Sequence, residues 1–259
     1  MKDNLREAQL IMLDLLIEFD RVCSKYNLVY WLDFGTLLGA VRHKGFIPWD
    51  DDLDVAMPRD DYNKFLKIAV KELKSSTFVQ TKETDESFFL HFTKLRNRKS
   101  TYIEKHEEGK EIKYHQGIYM DIFPVNYIKD TKFSKYLYTF LKTFTKSFSN
   151  RHIAIDFMST PLIKLTTLFH NKNNRFIVRG GEMMTNELQI NKEEVFPLLK
   201  IEFEGYKFNA PKNLHLYLTL FYGDYITLPP INQRKSHHIY IATKEVCSYE
   251  RNHLDKSLK

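Results

Sequence analysis

The sequence predicts an α+β fold, with a small mixed sheet in the N-terminal half followed by a helical C-terminal half. Three observations carry that expectation. Between about Leu28 and Val125, short apolar runs are punctuated by glycine, proline and acidic residues, the pattern of strands and turns. From about Lys132 to Glu187 the apolar period becomes three and four, the pattern of helices. The chain has 259 residues, of which 43% are hydrophobic and 28% charged, so it is long enough to build a core and too apolar for disorder.

The elements follow in order. Leu5, Ala8, Ile11, Met12, Leu15, Leu16, Phe19, Val22, Cys23 and Tyr26 recur at helical spacing and define an amphipathic helix with a structural role. Leu28–Asp33 reads as a short strand, broken at Gly35, and Thr36–Arg42 as a short helix ended by Gly45. Phe46–Met57 reads as a second strand that carries an acidic cluster. Pro58 stops it, and Asp60 or Asp61 is placed to cap a helix running to about Leu73. Phe78–Thr81, Phe88–Arg96 and Thr101–Glu104 read as strands, and Gly117–Val125 as another, closed by Pro124. The change of character divides the chain into residues 1–130 and 131–259. Beyond the helices, Ile201–Phe203 and Tyr206–Phe208 flank Glu204-Gly205 as a hairpin, Leu214–Phe221 is helical or buried, and the polar last twenty or so residues are expected to fray.

The formal charge is +6. It reflects either a lysine-rich surface or an anionic partner such as a nucleotide, a polyanionic glycan or an anionic lipid. Nucleic acid is disfavoured, because no RNP, KH or Cys₂His₂ signature is present and an acidic strand repels phosphates unless a metal intervenes. The two cysteines, Cys23 and Cys247, have no zinc spacing and support no disulfide framework, which favours a reducing compartment. Met1-Lys2-Asp3-Asn4 leads straight into the first helix without a signal-peptide pattern, and no apolar stretch reaches the ~20 residues that span a bilayer. A cytoplasmic location is the expectation.

The chemistry concentrates in Asp50-Asp51-Asp52-Leu53-Asp54. On a strand, side chains alternate, so Asp50, Asp52 and Asp54 would share a face and Asp51 would point away. Like charges held in an apolar frame of Phe46, Ile47, Trp49, Leu53 and Val55 call for a cation. Hard oxygen ligands suit Mg²⁺, or Mn²⁺ in its place. Gly35-Thr36, between a strand and a helix N-terminus, is suited to close approach of a phosphate, with Thr36 adding a hydroxyl donor. Asp121, a lone acid in the apolar run Gly117–Pro124, is either a third metal ligand or the partner of a nearby lysine.

Strand, Gly-Thr, short helix and then Asp-x-Asp resembles the nucleotidyltransferase fold of the polymerase-beta type. The longer run Gly35–Val55, with Met57-Pro58-Arg59, Tyr62, Gly117–Pro124, Tyr222-Gly223-Asp224-Tyr225 and Pro229-Pro230, closely resembles the LicD family of phosphocholine transferases, which includes fukutin-related phosphotransferases. The resemblance covers most of residues 5–240. It implies a nucleotidyltransferase-like catalytic core over 1–130 and an acceptor-recognition region over 131–259. It implies a CDP-activated donor, CDP-choline or CDP-ribitol, and a glycan acceptor of teichoic acid or lipopolysaccharide, lipid-linked at the inner face of the membrane. Under it, Asp52, Asp54 and Asp121 are the catalytic and metal-binding acids, and Gly35, Thr36, Arg42, His43, Trp49 and Asp50 contact substrate. A nucleotidyltransferase that moves a nucleoside monophosphate and leaves pyrophosphate would use the same acids and stays open as an alternative.

Two further features bear on substrates. Trp31, Trp49 and Tyr119 lie beside the catalytic elements and are either core residues or walls of a cage for choline. Lys132, Lys135, Lys142, Lys146 and Arg151 flank Phe133, Tyr136, Leu137, Phe140, Leu141, Phe144 and Phe148. This is either a core helix with a solvated basic face or a helix that lies on an anionic membrane surface.

Overall fold

The structure, a computed structural model, describes residues 4–148, 155–180, 182 and 189–257. Leu5–Lys25 forms α1, and the expected stripe is its buried face: Ala8, Met12, Leu16, Phe19 and Val22 are fully buried. Each side chain of the size of Leu16 or Phe19 contributes about 1.5–3 kcal/mol by leaving water. Trp31–Leu32 forms β1, Phe34–His43 forms α2, Asp54–Pro58 forms β2 and Arg59–Glu72 forms α3. Thr77–Gln80, Thr93–Asn97, Thr101–Glu104 and Tyr119–Ile128 form β3, β4, β5 and β6.

Several expectations in this half are corrected. The acidic cluster is not on a strand. Only Asp54–Pro58 pairs, and residues 46–53 form an irregular loop whose backbone groups up to Asp50 bond mainly to distant side chains, with only Leu53 O reaching β6. Asp60 and Asp61 lie in the first turn of α3, and Pro58 occupies its N-cap position. Pro124 does not close β6, which continues to Ile128. Its missing N–H lies on the edge where β4, which ends its pairing at Ile122, gives way to β7 (Phe176–Arg179), which begins at Val125, so no ladder bond is lost. Its carbonyl accepts from Gly180 N at 2.9 Å.

Lys132–Phe148 and Ile155–Leu168 form α4 and α5. The helical reading to Glu187 then fails. Phe176–Arg179 is strand β7, and Gln189–Asn191 is β8 paired to it. A four-residue strand buried throughout has no polar alternation to betray it. Lys192–Val195 forms α6, and Leu199–Phe203 and Tyr206–Ala210 form β9 and β10, the expected hairpin. Its turn residues Glu204 and Gly205 have φ of 52° and 79°. Leu214–Tyr222 forms α7. The C-terminal residues do not fray as expected: His238–Ala242 forms β11, antiparallel to β5, and Ser248–Ser257 forms α8.

The main sheet runs β1-β2-β6-β4-β3, with β7 and β8 added alongside β6. β2 and β6 are parallel, and the other pairs are antiparallel. The sheet is mixed, as expected, but two of its strands come from beyond residue 130. α1 packs against β4, β6 and α3, and α2 against β2 and α7. A smaller apolar cluster of Ile128, Tyr138, Phe176 and Val178 joins α4 to the sheet.

On α4, Phe133, Tyr136 and Phe140 are exposed, whereas Tyr138 is buried. Lys135 pairs with Asp130 at 2.5 Å and lies over the Phe176 ring. Arg151 and the side chains of Leu141, Lys142, Phe144, Lys146 and Phe148 lie outside the described residues. Among the described residues no helix is long and apolar enough to cross a membrane.

Candidate active site

The site is built where three strands and a loop meet. In register, Asp121 on β6 lies beside Asp54 on the parallel strand β2 and beside Lys94 on β4. The loop between α2 and β2 brings Asp50 and Asp52 to the same place, as the mutual electrostatic effects of the four carboxylates report.

The loop is fixed from several sides. From α1, the buried Gln9 amide donates to the carbonyls of Asp50 (2.9 Å) and Ile47 (3.3 Å). From the hairpin, Glu204 accepts from Phe46 N at 3.0 Å and is itself held by Arg6. From the C-terminal segment, Ser236 Oγ donates to the Trp49 carbonyl at 2.8 Å. Asp54 N donates to the buried Thr36 hydroxyl at 2.8 Å, Asp33 N to Asp54 O at 3.0 Å, and Asp121 N to Leu53 O at 2.7 Å. Rigid support of this kind keeps charged groups in place when a ligand pulls on them.

Asp51 does point away from the other acids, though not through strand alternation. It is 1% exposed and accepts from His237 N (2.6 Å), His238 N (2.7 Å) and His238 Nδ1 (2.7 Å). Burial alone would raise its pKa, but the bonds from His238 and His237 outweigh it and the carboxyl is held below its usual range. Asp51 is therefore a fastener between the acidic loop and β11.

The remaining acids behave oppositely. Burial, then Asp52 and Asp51, push Asp50 well above the usual carboxylate range. Burial, then Asp52 and Asp121, do the same to Asp54. Asp52 is raised by burial and Asp51. Asp121 is pushed up to about 6 by burial, against Lys94. Lys94 Nζ donates to both Asp121 oxygens at 2.8 and 2.9 Å, so of the two readings of Asp121 the lysine pair is present. Asp50 and Asp52 act on each other closely enough that a shared proton or a cation is favoured between them.

By charge, this cluster fits a divalent cation. By geometry, no three His, Cys, Asp or Glu side chains among the described residues converge on one point, because Asp121 is drawn to Lys94. Two carboxylates such as Asp52 and Asp54 could hold Mg²⁺ in its usual manner, with the remaining positions left to phosphate and water.

The other expected residues are placed as follows. Gly35 packs on Asp50: an added Cβ would lie 2.7 Å from Asp50 Oδ2. Its neighbour Phe34 has φ of 40°, a strained conformation for an aromatic residue, held between the Arg179 guanidinium and the rings of Phe123 and Phe221. Thr36 is buried against β2, its hydroxyl accepting from Asp54 N. Arg42 and Trp49 line a cavity of about 510 Å³ together with Leu38, Tyr222 and Pro229. Arg42 Nη1 donates to Tyr225 O at 3.2 Å while its Nε is buried without a partner. Arg234 lies 5.1 Å from the Trp49 ring centre. His43 is exposed and does not line this cavity.

Of the three aromatic candidates, Trp31 is fully buried core, donating to Tyr217 OH at 2.9 Å. Trp49 and Tyr119 line different cavities, so the three form no common cage. Residues that sequence reasoning did not single out are Gln9, Lys94, Arg179, Glu204, Ser236 and His238. Lys94 on an alternating strand had a faint signal, a cation at a core-facing position. The others act across the chain, as His238 does on Asp51 over 187 positions, and leave no local pattern. Both cysteines are buried and free.

Residues 27–153 match the family described as LicD/FKTN/FKRP, nucleotidyltransferase domain. The chain is 30% identical to the lipopolysaccharide cholinephosphotransferase LicD of Haemophilus influenzae over 271 aligned positions, covering 92% of this chain and 97% of that protein. It is 44% identical over 59 residues to the uncharacterized protein RT0683 of Rickettsia typhi, covering 23% of this chain and 19% of that one. Over 64 residues, 23% of this chain and 13% of the relative, it is 38% identical to the human ribitol 5-phosphate transferase FKRP.

Proposed function

The chain belongs to the LicD/FKTN/FKRP family, and from that membership we propose that it moves phosphocholine from CDP-choline to a hydroxyl of a cell-surface glycan precursor, of teichoic acid or lipopolysaccharide. The observation that carries the proposal is the cluster of Asp50, Asp52, Asp54 and Asp121. Its carboxyls raise one another's pKa, and Asp50 acts electrostatically on Arg42, and Asp50, Asp52 and Asp54 on Tyr222, two residues of the neighbouring cavity. A cluster so charged is unstable alone and is complementary to a cation carrying phosphates.

In this reading Mg²⁺, or Mn²⁺, held by Asp52 and Asp54 supplies charge neutralisation for the donor's pyrophosphate. Arg42 binds donor phosphate through its guanidinium, and Trp49 offers a face to the nucleotide. Asp121 accepts the proton of the attacking acceptor hydroxyl, for which a pKa of about 6 is suitable. Lys94 holds that carboxylate in position and keeps it ionised near neutral pH. The new bond joins the acceptor oxygen to phosphorus, the bond to CMP breaks, and CMP leaves with both electrons.

The test is CMP release from CDP-choline with and without a lipid-linked glycan. Chelation of divalent cations is expected to abolish release and added Mg²⁺ or Mn²⁺ to restore it. Asp52→Asn is expected to abolish transfer without unfolding the chain, and near-full activity in that variant would sink the metal assignment. Pyrophosphate in place of CMP would identify a nucleotidyltransferase instead. The similarity to a ribitol 5-phosphate transferase favours a second reading, transfer of ribitol or glycerol phosphate, and CDP-ribitol and CDP-glycerol belong in the same assay.

We further propose a cytoplasmic site of action with α4 resting on the inner leaflet. The exposed Phe133, Tyr136 and Phe140 supply the apolar face, with Lys132 beside them. Failure to float with anionic vesicles would remove this part.

A further inference from the structure

A second cavity, of about 490 Å³, opens on the other side of Asp121 from β2. Phe88, Phe89, Phe92 and Tyr114 wall it, and Glu104 and Glu107 contribute carboxylates. Lys94 and Asp121 stand at its junction with the acidic cluster. No family match or relative assigns a role to this cavity.

Its polar groups are already engaged. Glu107 is 4% exposed and accepts from three neutral donors: Tyr114 OH (2.6 Å), Glu104 N (2.9 Å) and Gln116 Nε2 (3.1 Å). Its donors carry no charge, and the cavity lining as a whole sets the three carboxylates of Glu104, Glu107 and Asp121 against the two cations Lys94 and Arg96. Glu104 meets the exposed His106 at 3.2 Å and accepts from Tyr119 OH at 3.3 Å and from the Glu107 backbone N–H. Arg96 is used by Gln80 and the Gly117 carbonyl, and Lys94 by Asp121. What remains for a ligand is aromatic surface and net negative charge, with few free hydrogen-bonding groups. The cavity already accepts an ammonium group on such a surface, since Lys94 Nζ lies 3.4 Å from the Tyr119 ring centre and 5.5 Å from that of Phe92.

We propose that this cavity binds the quaternary ammonium group of the donor, and that it selects phosphocholine over a polyol phosphate. A trimethylammonium group has no N–H to donate and is held by ring faces and diffuse negative charge. Ribitol or glycerol would have to trade its water for hydroxyl partners that are already taken, a loss of the kind that makes polar sites discriminate strongly. The inference rests on the reading of the acidic cluster as the centre of transfer, because the headgroup must lie next to the phosphate that moves.

The experiment compares wild-type protein with Phe89→Ala, whose ring is 49% exposed, and with Glu107→Gln, which keeps the shape of the carboxylate. The readouts are the KM for CDP-choline, the inhibition constant of CMP, and calorimetric binding of choline chloride and of ribitol. Each variant is expected to raise the KM for CDP-choline ~3- to 30-fold, the size of one cation–π contact, with CMP inhibition unchanged. Turnover of CDP-choline with unchanged KM in both variants overturns the cavity assignment and leaves the transfer reading standing. Absence of CDP-choline turnover, with choline binding that Phe89→Ala weakens, rejects the donor and keeps the cavity. Equal loss of CMP and CDP-choline affinity in a variant, or binding of ribitol and not choline, also overturns the assignment.

Discussion

At Gly35 an added Cβ would meet the end of the Asp50 side chain, which can turn aside, and not backbone. Gly35→Ala is therefore expected to leave the fold intact and to displace one carboxylate from the cluster. A misplacement near 1 Å lowers rate by about 10²-fold, and CMP release beside a thermal melt separates the two effects. Asp54→Asn has a different signature. Removing one of several mutually repelling buried charges is expected to keep or raise stability while transfer falls by about 10²–10³-fold or more. A variant that loses activity only in proportion to lost stability would show Asp54 to be structural.

The joint between α2 and β7 is set by a buried ion pair. Asp33 caps α2 by accepting from Phe34 N at 2.9 Å, and the fully buried Arg179 at the end of β7 holds its carboxylate together with Tyr217 OH. The same guanidinium lies 4.2 Å from the Phe34 ring centre and so presses on the strained residue beside Gly35. Arg179→Met would leave Asp33 buried and unpaired. It is expected to cost about 3–5 kcal/mol, seen as an earlier midpoint in chemical denaturation with an unchanged slope.

The C-terminal segment ties the whole molecule together. β11 pairs with β5, His238 fastens Asp51, and Glu250 on α8 meets Arg98 at 2.7 Å and His115 at 3.2 Å. Removal of residues 237–259 deletes none of the four clustered carboxylates, yet it leaves Asp51 buried without its donors. Loss of transfer together with a lower melting temperature is expected. Burial works against ionisation of Glu250, but the bonds from His115 and Arg98 outweigh it, so its pKa is held below the ordinary 4.5. A depressed carboxylate contributes stability above its unfolded value and loses that contribution as pH falls through its folded value. Acidification below about pH 4.5 is therefore expected to weaken the docking of α8, and Glu250→Gln to flatten that part of the stability profile.

Local periodicity was enough to find α1, α2, α3 and the β9–β10 hairpin, because each writes its buried face or its turn into neighbouring residues. The sequence also marked Asp50, Asp52, Asp54 and Asp121, since carboxylates in apolar surroundings are unusual at any distance. It misread the element that carries the first two: residues 46–53 look like a strand because they are apolar and acidic by turns, but their backbone partners are Gln9, Glu204 and Ser236. β7 and the ordered C-terminal segment were likewise invisible, being defined by pairing with β6 and β5 and not by their own pattern. Residue type, legible in the sequence, determined that an acidic centre exists. Tertiary structure decided that Asp51 is a fastener, that Lys94 neutralises Asp121 and that an aromatic cavity opens beside Asp121, because each depends on side chains brought together from distant parts of the chain.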